Sequence, residues 1–122
     1  MKTINQFKKN TEFVKIFNRL FSVRHSAHLY HLKSNSHAEH ETLGKFYEEL
    51  LTLTDELIET YQGKYGKVSD LVVEKESNSI SVIIRKLAEE IEAVSIEENF
   101  LQNILDEIVA LCYRTLYKLS MN

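Results

Sequence analysis

The stretch from Ser36 to Gly63 reads SHAEHETLGKFYEELLTLTDELIETYQG, and its apolar residues recur every three or four positions, the spacing of an amphipathic helix. Ser36 and Glu39 have the spacing of a capping box, in which the serine side chain caps the first turn. Gly63 occupies a common position for the end of a helix. The stretch therefore predicts a helix over residues 36–62, whose apolar stripe contains Leu43, Phe46, Tyr47, Leu50, Thr54, Leu57, Ile58 and Tyr61.

Three other segments have the same helical spacing. Thr3 and Gln6 have capping-box spacing, which predicts a short turn ahead of the first helix. Ser95 and Glu98 repeat that spacing ahead of the last helix. The β-branched run at 80–84 leaves a short strand as the alternative at the start of the third helix. The predicted helices cover residues 11–33, 36–62, 78–94 and 96–120.

The composition also favours an all-α chain. There is no proline and there are only three glycines in 122 residues, whereas all-β folds need many turns, normally built from glycine, proline, asparagine and aspartate. With 43% hydrophobic and 27% charged residues, the chain matches one globular domain over residues 1–122. These values exclude a disordered tail and a multidomain enzyme.

The connections between the helices predict their arrangement. Only about three residues join the first helix to the second and about one joins the third to the fourth, and short connections make antiparallel neighbours. The middle connection of about 13 residues reaches ~45 Å when extended, enough to span the length of a helix. The predicted fold class is therefore all-α, a ferritin-like four-helix bundle of two antiparallel hairpins joined by a long crossover.

The charge balance bears on the partners. Fifteen lysines and arginines against 18 aspartates and glutamates give a formal charge of −3, which argues against nucleic acid as a partner. Residues 1–35 nevertheless hold seven basic residues and one glutamate. A basic arm that touches nucleic acid is one interpretation, but the aromatic residues there have helical core spacing, which favours packing between complementary helix faces.

Two features bear on the location. No run of 18 apolar residues is present, and residues 1–10 lack the apolar centre of a signal peptide, so the chain is predicted neither to span a membrane nor to be exported. Its single cysteine, Cys112, fits a reducing compartment and hence a cytoplasmic location. Cys112 lies on the apolar stripe of the last helix, which predicts a buried core residue rather than a nucleophile.

A cluster of histidines suggests a metal site, because neutral imidazole is the commonest ligand of transition metals. His28 and His31 continue the apolar stripe of the first helix and are predicted to point inward, whereas His25 is predicted to be solvated; a hydrogen-bonded core residue is the alternative for each inward histidine. Asp55 and Glu59 lie one turn apart on the second helix. All five histidines fall within 16 residues: His25, His28, His31, His37 and His40.

These residues and their surroundings resemble the ferroxidase site of Dps proteins, the DNA-protecting mini-ferritins. The intervals of 12, 15 and 4 residues between His28, His40, Asp55 and Glu59 are similar to those of that site. The resemblance, which includes short Dps-like proteins encoded by bacteriophages, implies a ferritin-like bundle that binds iron at these four residues and oxidises it with peroxide or oxygen, for iron storage or oxidative protection. The similar stretches are HLYHL at 28–32, HAEHETL at 37–43, FYEEL at 46–50, TDELIE at 54–59, YQGKYG at 61–66 and TLYKL at 115–119.

Two positions depart from the pattern of the family. Leu29 stands where Dps proteins have a tryptophan after the first histidine ligand, and Gly44 stands where they usually have an aspartate on the metal. The resemblance implies iron, whereas a site with fewer carboxylates favours another transition metal such as zinc, or no metal, over iron. His31, which the family pattern does not require, is a candidate auxiliary ligand.

The spacing of the ligand positions has a consequence for assembly. His40 and Asp55 lie 15 residues apart on one predicted helix, ~22 Å at a rise of ~1.5 Å per residue, whereas metal–ligand bonds are only ~2 Å long. Asp55 and Glu59 must therefore come from a second copy. The metal site predicts a homo-oligomer whose minimum unit is a dimer.

A second function stays open at this point. The chain is alternatively a non-enzymatic, phage-encoded helical protein that kept the bundle and lost the metal chemistry, either a component of the virion or a binder of another protein, since a fold alone does not determine function. Gly44 and Leu29 favour this interpretation, whereas the four ligand positions favour a metal-binding protein.

Overall fold

Four α-helices account for about three quarters of the chain in the computed structural model, which describes residues 4–121. No strand occurs among those residues, so the predicted all-α class is confirmed. The β-branched run at 80–84 lies in a helix, and the alternative of a short strand there is wrong. The helices are α1 (Ile4–Lys33), α2 (His37–Tyr65), α3 (Ile80–Glu92) and α4 (Asn99–Leu119).

The two ends of α2 are set by a serine and a glycine. At the start, the Ser36 hydroxyl accepts a hydrogen bond of 3.2 Å from the backbone N–H of Glu39, which is one half of the predicted capping box. The Ser36 N–H donates to Ser34 Oγ at 3.2 Å rather than to the Glu39 side chain. Gly63 does not end the helix, contrary to the prediction. The helix continues for two further residues until Gly66, whose φ of 89° lies in the left-handed region that favours glycine and whose N–H donates to the Gln62 carbonyl at 2.8 Å.

The starts of α1 and α3 both differ from the predicted ones. α1 begins at Ile4, seven residues earlier than predicted, since no proline or glycine interrupts the sequence between. Thr3, one half of the predicted capping box, lies outside the described residues. α3 begins at Ile80, with Ser79 in the N-cap position, two residues later than predicted.

The start of α4 differs from the prediction in its position and in its hydrogen bonds. The helix begins at Asn99, so the capping box predicted at Ser95 and Glu98 is wrong. Instead, the side-chain oxygen of Gln102 reaches back out of the helix and accepts a hydrogen bond of 3.2 Å from the N–H of Ile96. The connection between α3 and α4 is therefore longer than predicted.

The four helices enclose one apolar core. α1 contacts α2, α2 contacts α4, α4 contacts α3, and α3 contacts α1. Cys112 is fully buried in this core, as predicted. None of the described helices combines the length and the hydropathy that crossing a membrane requires. The largest fully buried side chains are Tyr61, Phe17, Phe46, Leu20, Leu43, Leu50, Leu57, Ile83, Ile84, Leu87, Leu101 and Leu105.

The connection between α2 and α3, residues 66–79, follows α1. Its backbone forms hydrogen bonds with side chains of α1. As the connection proceeds from residue 72 to residue 78, its partners lie progressively closer to the end of α1. These side chains provide hydrogen-bond partners for some of the backbone N–H and C=O groups of the connection, which has no strand to pair with. The hydrogen bonds run from the Val72 N–H to Asn18 Oδ1 (2.8 Å), from the Glu74 N–H to Ser22 Oγ (2.8 Å) and from the Tyr30 hydroxyl to the Asn78 carbonyl (2.9 Å).

Candidate metal centre

Three half-buried histidines lie where the end of α1 meets the start of α2. His28 and His31 come from α1 and His40 from α2, while His25 is exposed, as predicted. The rings of His31 and His40 stack, with centroids 3.7 Å apart and planes 17° from parallel. The ring of His28 has its centroid 6.3 Å from that of His31. The structure thus brings three of the five predicted ligands together.

Reciprocal hydrogen bonds hold the stacked pair. Nδ1 of His31 lies 2.6 Å from the carbonyl oxygen of His40, and Nδ1 of His40 lies 2.7 Å from the carbonyl oxygen of His31. Because a carbonyl oxygen only accepts, both Nδ1 atoms carry a proton, and in the neutral rings the free lone pair is on Nε2. This is how histidines that bind metals are commonly oriented.

Gly44 provides the space in which the His31 ring lies. A β-carbon at position 44 would be 2.9 Å from Cε1 of His31 and 3.1 Å from its Nδ1, closer than side chains normally approach. Any other residue at 44 would therefore displace the ring. Gly44 and the ring of His31 therefore share one location between α1 and α2.

Tyr47 of α2 packs against both histidines of α1. Its ring stacks on His28, with centroids 4.3 Å apart and planes 14° from parallel, and it meets His31 edge-on at 5.4 Å. The guanidinium of Arg24 lies 5.3 Å from the centroid of the same ring. Burial, together with the neighbouring charge of Arg24, lowers the pKa of His28, which favours the neutral form that binds metals.

The two predicted carboxylate ligands lie elsewhere on α2. Asp55 and Glu59 are exposed, and Asp55 is ~22 Å along the helix from His40. In the described part of the chain, no three His, Cys, Asp or Glu side chains lie close enough together to hold a metal ion. Within one copy, therefore, the carboxylates do not reach the cluster of His28, His31 and His40.

The stack also limits how its two rings bind metal. The lone pair of Nε2 lies in the plane of its imidazole, and a bound ion lies in that plane at ~2.0–2.1 Å. The planes of His31 and His40 are nearly parallel, with centres 3.7 Å apart, so they do not intersect at that distance. In this arrangement the two rings suit two separate ions, each with one imidazole, and a single ion shared by both requires one ring to rotate.

Arg24 and Tyr47 are not among the residues that the sequence predicts for this centre. Both have a sequence signal, because Arg24 lies one turn before His28 on the same helix stripe and Tyr47 lies two turns after His40. Such spacing places side chains on one face but does not show which helix faces which. Only the pairing of α1 with α2 brings Arg24 and Tyr47 together.

A second polar cluster, at the opposite end of α1, was also missed. Lys9 donates to Glu98 Oε2 at 2.9 Å and to the Tyr65 hydroxyl at 3.0 Å, and Tyr65 also bonds with Glu98. Burial acts to raise the pKa of Glu98, but the hydrogen bonds to its carboxylate from Lys9 and from its own backbone N–H, together with the charges of Lys9 and Lys64, outweigh burial and lower the pKa. These residues join α1, α2 and the start of α4.

Comparison with known proteins gives one match. The model of a family described as "Family of unknown function (DUF5856)" matches residues 31–119, which include His31, His40, Gly44, Asp55 and Glu59. No curated protein and no solved structure matches the chain. Since the family model covers well over half of the residues, the chain belongs to the family of unknown function DUF5856.

Proposed function

We propose that this chain is a Dps-like protein that binds a transition metal, iron or zinc, at a site shared between two copies. The observation that carries the proposal is the orientation of the histidines. Two imidazoles have their Nδ1 atoms bonded to backbone carbonyls, so that Nε2 is the free ligand atom. A third imidazole, that of His28, lies beside them with a lowered pKa.

The proposal includes a ferritin-like arrangement in which α1 and α2 are antiparallel. His31, near the end of α1, stacks on His40, near the start of α2. Asn10, near the start of α1, bonds with Tyr61, near the end of α2. The connection from α2 to α3 follows α1, as a long crossover between two hairpins would.

Each proposed site takes residues from both copies. His28 and His40 of one copy are the histidine ligands, with His31 as an auxiliary ligand, and Asp55 and Glu59 of the other copy supply the carboxylates. A two-fold axis that lays α2 antiparallel to its mate makes two equivalent sites per dimer.

The donor set determines which metals suit the site. Imidazoles combined with two carboxylates suit iron, whereas a site with few carboxylates favours zinc. Two bound irons would undergo oxidation from Fe(II) by peroxide or dioxygen, with the protein serving in iron storage or oxidative protection. In this proposal the residues of the chain hold and orient the ions. The backbone carbonyls of His31 and His40 fix the tautomers of the two stacked histidines, and Tyr47 fixes the ring of His28 by stacking.

One observation favours a second candidate function. The stack of His31 on His40, with both Nδ1 atoms bonded and Gly44 leaving room, also joins two helices without any metal. On that basis the histidines are a structural link, and the chain is a helical interaction protein, phage-encoded and present in the virion or bound to another protein.

Metal content distinguishes the two functions. Protein purified without added metal or chelator should contain close to one or two transition-metal ions per chain by elemental analysis. His40→Ala and Asp55→Ala should each remove most of this metal, whereas His25→Ala and His37→Ala, which change exposed histidines outside the cluster, should not. Equal metal content in all four variants would leave the structural link as the better interpretation.

Mixing the variants tests whether the site is shared. In a dimer of one His40→Ala chain and one Asp55→Ala chain, one site carries both substitutions and the other carries neither. Co-expression should therefore restore metal to about half of the sites in such mixed dimers. If the mixture holds no more metal than either variant alone, the two residues do not act across copies.

A further inference from the structure

Arg24 has no counter-charge among the described residues of its own chain. Its guanidinium lies over the Tyr47 ring, 5.3 Å from the centroid, and its Nε is buried without a hydrogen-bond partner. Among the described side chains, no carboxylate lies within ion-pair distance of Arg24, in contrast to Arg19, which pairs with Glu76 and Glu90. A half-buried arginine without a counter-charge is costly unless another group supplies one.

Beside Arg24, the surface along the contact between α1 and α2 carries side chains that are only half-buried or exposed. On α2, Tyr47, Leu51 and Asp55 follow one another at intervals of four residues, so they share a stripe. Tyr47 and Leu51 are half-buried, and Asp55 is exposed. Phe21, which is also half-buried, precedes Arg24 by three residues on α1. The face thus combines a basic group, Arg24, with half-buried side chains and the exposed carboxylate of Asp55.

The register of the proposed dimer places Glu48 beside the two-fold axis. If His40 of one copy lies opposite the turn from Asp55 to Glu59 of the other, the midpoint of the paired helices falls next to residue 48. Glu48 is exposed, and its intervals of seven and four residues place it on the face that Asp55 and Glu59 also occupy. Two glutamates that meet at an axis repel each other unless cations lie between them.

We infer that Arg24 of one copy pairs with Glu48 of the partner copy and that these two ion pairs hold the dimer together whether or not metal is bound. Arg24 lies level with the axis, since it covers Tyr47, the residue that precedes Glu48. Stacking on Tyr47 orders the guanidinium in advance, which reduces the entropy that is lost on pairing. The inference rests on the proposed function, from which it takes the register.

The dissociation constant of the dimer, measured by analytical ultracentrifugation in EDTA, tests the inference. Arg24→Gln and Glu48→Gln should each weaken the dimer about tenfold or more, a typical effect for one partner of a desolvated charge pair. Arg85→Gln, which changes an exposed arginine on α3, should leave the constant unchanged. The exchanged pair, Arg24→Glu with Glu48→Arg, should regain most of the affinity. Circular dichroism checks that every variant keeps its helix content.

The outcomes separate this inference from the proposed function. If Arg24→Gln dimerises like Arg85→Gln while His40→Ala still removes metal, the ion pair is wrong and the shared metal site stands. If Arg24→Gln weakens the dimer and the exchanged pair restores it while the wild type holds no metal, the interface stands and the metal site is wrong. A wild type that is monomeric at all concentrations, with and without zinc, overturns both.

Discussion

The imidazole of His31 occupies the space that a side chain at Gly44 would need, since a β-carbon there would lie 2.9 Å from its Cε1. Position 44 and the His31 ring are therefore coupled, because the absence of a side chain at 44 leaves the ring the space in which its Nδ1 lies 2.6 Å from the carbonyl oxygen of His40. A larger residue at 44 would have to move that ring.

This relationship predicts opposite effects of alanine at two glycines of α2. Gly63→Ala should stabilise the fold by about 0.5–1 kcal/mol, because alanine favours helix and nothing lies within 4 Å of the added carbon. Gly44→Ala should gain the same helix propensity but displace His31, for a net loss of about 1 kcal/mol or more.

Urea denaturation of both variants measures these free energies of unfolding. Double substitution then locates the cause, because Gly44→Ala should be much less harmful in a His31→Ala background, where no ring needs to move. If Gly44→Ala is as stabilising as Gly63→Ala, the ring is not confined by position 44.

The sequence predicts the features that depend on neighbouring residues, but not those that depend on packing between residues far apart in the chain. The helix over 36–62 follows from the periodicity of its own residues, and its start follows from Ser36. Its end could not be predicted in the same way, because Gly63 and Gly66 both suit a helix end. Which glycine adopts the left-handed conformation depends on the packing that keeps the last turn helical.

The candidate site shows the same limit. The inward direction of His28 and His31 followed from the stripe of α1, but the bond between His31 and His40 requires the register of α1 against α2. The pair formed by Lys9 and Glu98 joins residues 89 positions apart and has no local signal. Contacts of this kind come from tertiary packing rather than from helix propensity.

Glu98 should make the stability depend on pH in the acid range. Its folded-state pKa is lowered below the ordinary value of 4.5, because hydrogen bonds from Lys9 and from its own backbone N–H, with the charges of Lys9 and Lys64, together outweigh burial. The unfolded state therefore binds the proton more tightly. The stabilisation is complete above pH ~4.5 and is lost as the pH falls through the folded-state pKa. Glu98→Gln should lower the stability by about 1–3 kcal/mol at pH 7 and by much less near pH 3.

Glu97→Gln is the matched control for this dependence, because Glu97 is the exposed neighbour of Glu98. Thermal or urea unfolding between pH 3 and pH 7 should show wild-type behaviour for Glu97→Gln. A difference between wild type and Glu98→Gln that stays constant over this range would mean that the ionisation of Glu98 is not coupled to folding.

Cys112 should resist thiol reagents in the folded protein. Burial in the core raises the pKa of its thiol to about 12, and only the thiolate reacts. At pH 8 the folded chain therefore holds on the order of 1,000 times less thiolate than an unfolded chain, whose cysteine pKa is about 8.5. Labelling with a chromogenic disulfide should be slow in buffer and fast in denaturant.

A variant with a second, exposed thiol provides the internal control for that labelling. Ser120 is exposed directly after α4, so Ser120→Cys should react with one fast and one slow phase in the folded state. Two fast phases would show that the interior around Cys112 opens more readily than its burial indicates.

Tyr47 should act on the metal site through its ring rather than through its hydroxyl. The ring stacks on His28 at 4.3 Å and meets the edge of His31, and these contacts hold two of the three imidazoles in position. Tyr47→Phe keeps both contacts and should bind zinc like the wild type. Tyr47→Ala removes them and should weaken zinc binding about 10- to 100-fold, the usual effect of losing a group that orients a ligand. Titration of the protein with zinc against a chromophoric chelator measures both affinities, with His40→Ala as the reference for a lost ligand under the proposed function. Weakened binding in Tyr47→Phe would instead indicate that the hydroxyl takes part, and unchanged binding in Tyr47→Ala would mean that His28 is not held for metal by this ring.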